Sequence, residues 1–202
     1  MYQIMRIGIE GVGHGLLMNN PAGMAAHTDE LVRAGKKIPV PYDEAVSKLY
    51  IVPGGNQLYG ASDWFREAAL VGAKAVRDTS RSGRASMVQS FGANVFLSEP
   101  YCPLVRASTG KPITSADDEW EIFLKRAVVQ GNGIMRSRPL VHDWACTVEF
   151  EYDDEGIAPA MVAAILHIAG KFPGVGDYRP GKKGPFGRFR VMELDGEGWQ
   201  PS

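Results

Sequence analysis

Residues 144–152, WACTVEFEY, place the tightest constraint on what this chain can fold into. Trp144, Cys146, Val148 and Phe150 alternate with Ala145, Thr147, Glu149 and Glu151. A period of two puts the four large side chains on one face of a strand, so this strand belongs to a sheet with one buried face and one that meets water. Something apolar must then cover the buried face. A helix over residues 158–171 is suited to do so, with Pro159 in its first turn and Met161, Ile165, Ile168 and Phe172 along one side. His167 falls inside this helix and reads as a structural histidine of the core.

The other elements follow from the same two periodicities. Residues 3–12 mix Ile4, Met5, Ile7 and Ile9 with Gln3, Arg6 and Glu10 and end in GVGHG, a strand running into a glycine turn. Residues 13–60 are irregular, broken at Asn19, Asn20, Pro21, Gly35, Pro39, Pro41, Pro53, Gly54 and Gly55, with at most short helices near 25–34 and 43–49. Ser62 is a suitable N-cap for a helix over 62–76, whose apolar stripe is Trp64, Phe65, Ala68, Ala69, Val71, Ala75 and Val76. A basic loop, RDTSRSGR, follows and carries Arg77, Arg81 and Arg84. Residues 93–97 and 121–130 read as strands separated by an irregular excursion over 101–118, and residues 187–194 form the last strand before a polar tail.

Stripped of insertions, the order is β, α, β, β, α, β. This is the ferredoxin-like or RNA-recognition-motif plan, an α+β fold. It predicts a single domain over 1–202 with a long irregular insertion after the first strand and a glycine-rich hairpin before the last. With 202 residues, 45% of them hydrophobic and 22% charged, the chain can build one substantial core. Cys102 and Cys146 are the two cysteines, too few for a disulfide framework or a zinc site, which suggests a reducing compartment. The first residues lack a basic start followed by a long apolar core, and the best apolar run, 157–169, is too short to span a bilayer. A soluble cytoplasmic protein without a membrane partner is the expectation.

The chemistry concentrates near the C-terminus. In GVGDYRPGKKGPFGRFRV, residues 174–191, Gly174, Gly176, Gly181, Gly184 and Gly187 are interleaved with Arg179, Lys182, Lys183, Arg188 and Arg190, against a single acid, Asp177. The whole chain has a net charge of only -1, so positive charge is gathered here. Glycines allow close approach of another polymer, cations neutralise phosphates, and Tyr178, Phe186 and Phe189 supply rings on which bases can stack. The same composition also suits a basic surface hairpin with turn glycines. Upstream, Arg136 and Arg138 would share a face of an extended segment as a phosphate clamp, or line a solvated strand edge; His142 would continue that face if Pro139 keeps the register.

Catalytic and cofactor motifs are weak. GDYRPGKK nearly matches a phosphate-binding loop, but Lys183 stands where the magnesium-binding hydroxyl belongs, and the segment follows a helix instead of opening one. GVGHGL lacks the third glycine of a dinucleotide fingerprint. His14 and His27 have no Ser or Asp at triad spacing, and the acidic runs 117–119 and 153–155 fit solvated turns or caps better than metal ligands. No cofactor, metal or catalytic residue is therefore expected.

The opening strand with IEGVGHGLLMNN, the helix over 62–76 and the terminal GVGDYRPGKKGPFGRFRV together resemble the RAMP superfamily of CRISPR proteins. The likeness is greatest to the backbone subunit of effector complexes, which polymerises along guide RNA, and phage-encoded proteins of similar length carry a similar MRSRP segment and GDYRP…GPFGRF ending. The resemblance implies a non-enzymatic protein that binds single-stranded RNA or DNA, assembles head to tail with copies of itself, and meets other CRISPR-like or phage proteins. It also implies that residues 13–60 form a thumb-like projection. Arg136, Arg138, Arg179, Lys182, Lys183 and Arg188 would then contact phosphates, with Arg81, Arg84 and His14 alongside, while Tyr178 and Phe186 stack on bases. Two rivals are a metal-independent ribonuclease using His14 or His27, like the guide-processing branch of the superfamily, and a phage protein that meets only other proteins.

Overall fold

The computed structural model describes residues 1–35, 39–79, 85–129 and 132–192, with side chains omitted over 127–134. The fold is mixed α+β and its sheets are antiparallel. In chain order the elements are β1 (Tyr2–Val12), β2 (Leu16–Leu17), α1 (Pro21–Arg33), α2 (Pro41–Val46), β3 (Tyr59–Ala61), α3 (Ser62–Ala73), α4 (Val88–Asn94), β4 (Val95–Leu97), β5 (Tyr101–Pro103), β6 (Val105–Arg106), β7 (Glu121–Val129), β8 (Asn132–Val141), β9 (Trp144–Asp153), α5 (Pro159–Lys171) and β10 (Arg188–Val191).

The principal sheet runs β10-β1-β9-β4, and β6 also pairs with β9. Its centre is the ladder between β1 and β9, in which Met5 faces Phe150, Ile7 faces Val148 and Ile9 faces Cys146. These side chains are buried with Phe65, Ala68 and Ala69 of α3 and Val162, Ile165, Leu166 and Ala169 of α5. Each fully buried Ile, Leu or Phe contributes on the order of 1.5–3 kcal/mol. The two helices approach closely because Gly72 is at their contact: a Cβ there would lie 2.8 Å from the carbonyl oxygen of Ile165. On the opposite face of the sheet Tyr2 and Ile4 are exposed, and Arg6 bridges to Glu149 at 2.8 Å, as Arg190 does to Glu10 at 2.8 Å.

A second body is built around the sheet β2-β8-β7. Here the expected organisation changes. Residues 13–60 do contain short helices, but they do not stand alone as a projection: β2 pairs with Val141 and Leu140 of β8, and α2 lies against the same strand. The strand expected over 121–130 is one arm of the β7–β8 hairpin, and residues 134–141, a segment with two arginines and a proline, form most of the other arm. Pro139 is tolerated because it lies where the pairing of β8 with the two-residue strand β2 runs out; its carbonyl still accepts from Met18 N at 3.0 Å.

Other local expectations are corrected. Ser62 is the first helical residue, not the cap, and its Oγ donates to the Glu99 carbonyl and lies 3.3 Å from Cys102 Sγ. The α3 helix stops at Ala73, and Val71, expected in its apolar stripe, lies on its exposed side. Residues 88–94 form α4 in place of the first part of the strand expected at 93. In α5 the buried stripe is Val162, Ile165, Leu166 and Ala169, so His167 is exposed and not a core residue. Phe172, expected on the buried side, is 68% exposed. Among the described residues, no helix is long and apolar enough to cross a membrane.

Candidate nucleic-acid interface

The glycine-rich segment is a compact loop whose backbone is fastened to the junction of the two sheets. Val175 N donates to the Gly187 carbonyl at 2.8 Å, Gly187 N to the Gly15 carbonyl at 2.8 Å, and Asp177 N to the Leu17 carbonyl at 2.8 Å. These bonds explain the glycines. Gly187 has φ +68, and a Cβ there would run into the Val175 carbonyl; Gly176 has φ +73, and a Cβ would lie 2.7 Å from the Leu17 carbonyl. Gly174, Gly181 and Gly184 likewise face Pro180 and Gly187, Pro173, and Tyr178. The five glycines assigned to approach by an outside polymer are used instead for approach of the chain to itself, because the loop folds back on its own carbonyls.

The cations divide into two groups. Arg138 Nε faces Asp177 Oδ2 at 2.5 Å, and Arg136 Nη1 donates to Glu44 Oε1 at 3.0 Å, so each proposed clamp residue already has a carboxylate. Arg179 Nη1 donates to the Gly176 carbonyl at 2.9 Å. In contrast, Lys182, Lys183 and Arg188 are exposed and have no ion pair among the described residues. A single 3-10 turn, Pro180–Lys182, presents the two lysines, and Lys183 closes it in the left-handed region at φ 60. Arg81 and Arg84 lie outside the described residues.

The aromatic residues also separate. Phe186 is 5% exposed and belongs to a small apolar cluster with Leu17 and Leu140, packed by Phe123 and Tyr178. It cannot offer a face to a base, because its surface is already covered by Phe123, whose ring centre is 4.9 Å away. Tyr178, at φ 44, is half-buried and has Lys125 Nζ 2.9 Å above its ring centre, a cation–π contact that residue spacing did not reveal. His14 is exposed and stands edge-on to Phe186 with centres 6.4 Å apart; His142 Nε2 meets Glu121 Oε1 at 2.5 Å.

Behind Arg136 lies the pair Glu44 and Lys48, whose side chains are 4% and 1% exposed. Lys48 Nζ donates to Glu44 Oε1 at 2.8 Å and to the Ser137 carbonyl at 2.8 Å, while Glu44 Oε2 accepts from Ser137 N at 3.0 Å and Ser137 Oγ at 2.8 Å. The two side chains thus satisfy both backbone groups of Ser137, taking the place of a neighbouring strand where β2 ends. Burial alone would raise the Glu44 carboxyl, but the bonds from Lys48 and Ser137 outweigh it and hold the group at about 2. Burial lowers Lys48, with Glu44 opposing. Their spacing of four was the one signal in the sequence for this pair.

No protein-family model matches the chain, and no curated protein matches it in sequence.

Proposed function

We propose that the protein binds single-stranded RNA or DNA in a sequence-tolerant manner through the surface around the glycine-rich loop, without catalysis. The carrying observation is the contrast in charge pairing: Arg136 and Arg138 are compensated by carboxylates, whereas Lys182, Lys183 and Arg188 are presented uncompensated on a rigidly fastened loop and the strand after it. A held loop with unpaired cations suits a phosphate chain, because the geometry is set before binding. The strand order β10-β1-β9-β4, last, first, third and second of the core, with α3 and α5 over one face, supports a ferredoxin-like core. Within this reading the β2-β8-β7 body serves as the projection of a RAMP-like subunit and meets the next copy in a head-to-tail assembly.

The test is anisotropy of a labelled single strand titrated with protein at several salt concentrations. Lys182→Ala with Lys183→Ala and Arg188→Ala should weaken binding by at least about tenfold and flatten the salt dependence by roughly 0.7 of slope per lost contact. Melting should hardly move, since surface changes of this kind alter stability by about 0.5 kcal/mol or less each. Unchanged affinity and slope would refute the assignment. A second reading, a metal-independent ribonuclease, has the exposed His14 beside the same loop in its favour; discrete RNA products that vanish in His14→Ala would establish it.

A further inference from the structure

We infer that Phe172 is the platform on which an unpaired nucleobase stacks, with the neighbouring cations holding the phosphates on either side of that base. The inference rests on the single-strand reading above and adds the residue that receives the base.

Phe172 closes α5 and is 68% exposed. Its place in the helical period would bury it, but the chain reverses at once: Gly174, at φ +62, donates from N to the Ala169 carbonyl at 2.9 Å, and Pro173 takes the buried side instead. Leaving a phenyl ring in water forgoes the stabilisation that burial would have contributed. Cations lie close to it along the chain and across the turn. Pro173 accepts from Gly181 N at 3.0 Å, which brings the turn bearing Lys182 and Lys183 against the residue next to Phe172. Gly170 is pressed against the backbone of Phe189, whose ring faces the helices, so Arg188 alternates to the other face of the sheet and is not among these cations. Lys171 is adjacent and exposed. The only acid between residues 156 and 192 is Asp177, and it faces Arg138.

An exposed ring with Lys171 beside it in the chain, and with the turn bearing Lys182 and Lys183 bonded to the residue after it, is a poor seat for an apolar protein side chain, which would strand those charges at the interface. It fits a nucleotide, which brings a flat aromatic base and an anion together. Phe186 cannot fill this role, since it is enclosed.

The experiment compares a fluorescent single strand with a strand of equal length and charge in which every base is absent. Wild type should bind the base-bearing strand about five- to 150-fold more tightly. Phe172→Ala should lose most of that preference while keeping the salt slope, and Phe172→Trp should retain it. Lys182→Ala with Lys183→Ala should lower the slope and keep the preference. If wild type binds the strand but Phe172→Ala keeps the full base preference, the platform is refuted and the single-strand reading stands. If wild type binds neither strand, both fall.

Discussion

Replacing Glu44 by alanine tests how α2 and the residues after it are held against β8. The Glu44 carboxylate holds Lys48 at 2.8 Å, Ser137 N at 3.0 Å and Arg136 at 3.0 Å, with its own side chain 4% exposed and that of Lys48 1% exposed. Without it, a buried ammonium retains one carbonyl partner and the Ser137 N–H has none. Breaking a buried pair from one side costs about 3–5 kcal/mol. At about 2–4 °C per kcal/mol for a chain of this length, melting followed by circular dichroism should fall by roughly 6–20 °C. The pH dependence gives a second reading of the same group. Its folded pKa, about 2, is below the ordinary value of 4.5, so the stability it contributes is full above about 4.5 and is lost as pH falls toward about 2. The gap in stability between wild type and Glu44→Gln should therefore narrow over that range, with the other carboxylates cancelling. A melting change under 2 °C for Glu44→Ala, or a gap that does not depend on pH, would refute the claim that this pair holds β8 in place.

Two further outcomes concern the loop. Phe186→Ala should destabilise by about 3–5 kcal/mol in urea unfolding, because it empties the centre of the Leu17 and Leu140 cluster; a loss below 1 kcal/mol would return Phe186 to the surface. Gly187→Ala should cost about 2–5 kcal/mol, combining a left-handed backbone with a Cβ that meets the Val175 carbonyl. Gly13→Ala, at φ +83 but with nothing within 4 Å of its Cβ, should cost only about 1–2 kcal/mol. Equal losses at the two glycines would show that backbone strain, not loop packing, explains Gly187.

Strict alternation made β9 and β1 legible, and apolar periodicity located α3 and α5, because each of these elements buries one face against the others. The hairpin arm β8 was not legible as a strand. Its residues 135–139 are Met, Arg, Ser, Arg and Pro, and their partners are Glu44, Lys48 and Asp177, which come from distant parts of the chain. The glycine-rich loop was visible as a feature, but composition could not tell glycines that admit a ligand from glycines that admit the loop's own carbonyls. Charge counting failed in the same way: Arg138 and Lys182 look alike in sequence, and only Asp177 distinguishes them. Phe172 was assigned to the core because a helical period has no means of showing where the helix ends.

The position of β1 has a consequence for biosynthesis. It is flanked in the sheet by β9 and β10, so β1 waits for partners made much later; Arg6 and Glu149 are 143 positions apart. At about 5–20 residues per second, roughly 7–29 s pass on the ribosome before that contact can form. During this interval the apolar face of Met5, Ile7 and Ile9 has no sheet to join. Such non-local pairing slows folding and exposes the nascent chain to chaperone capture, so the yield of native protein depends on how fast the stretch between β1 and β10 is translated.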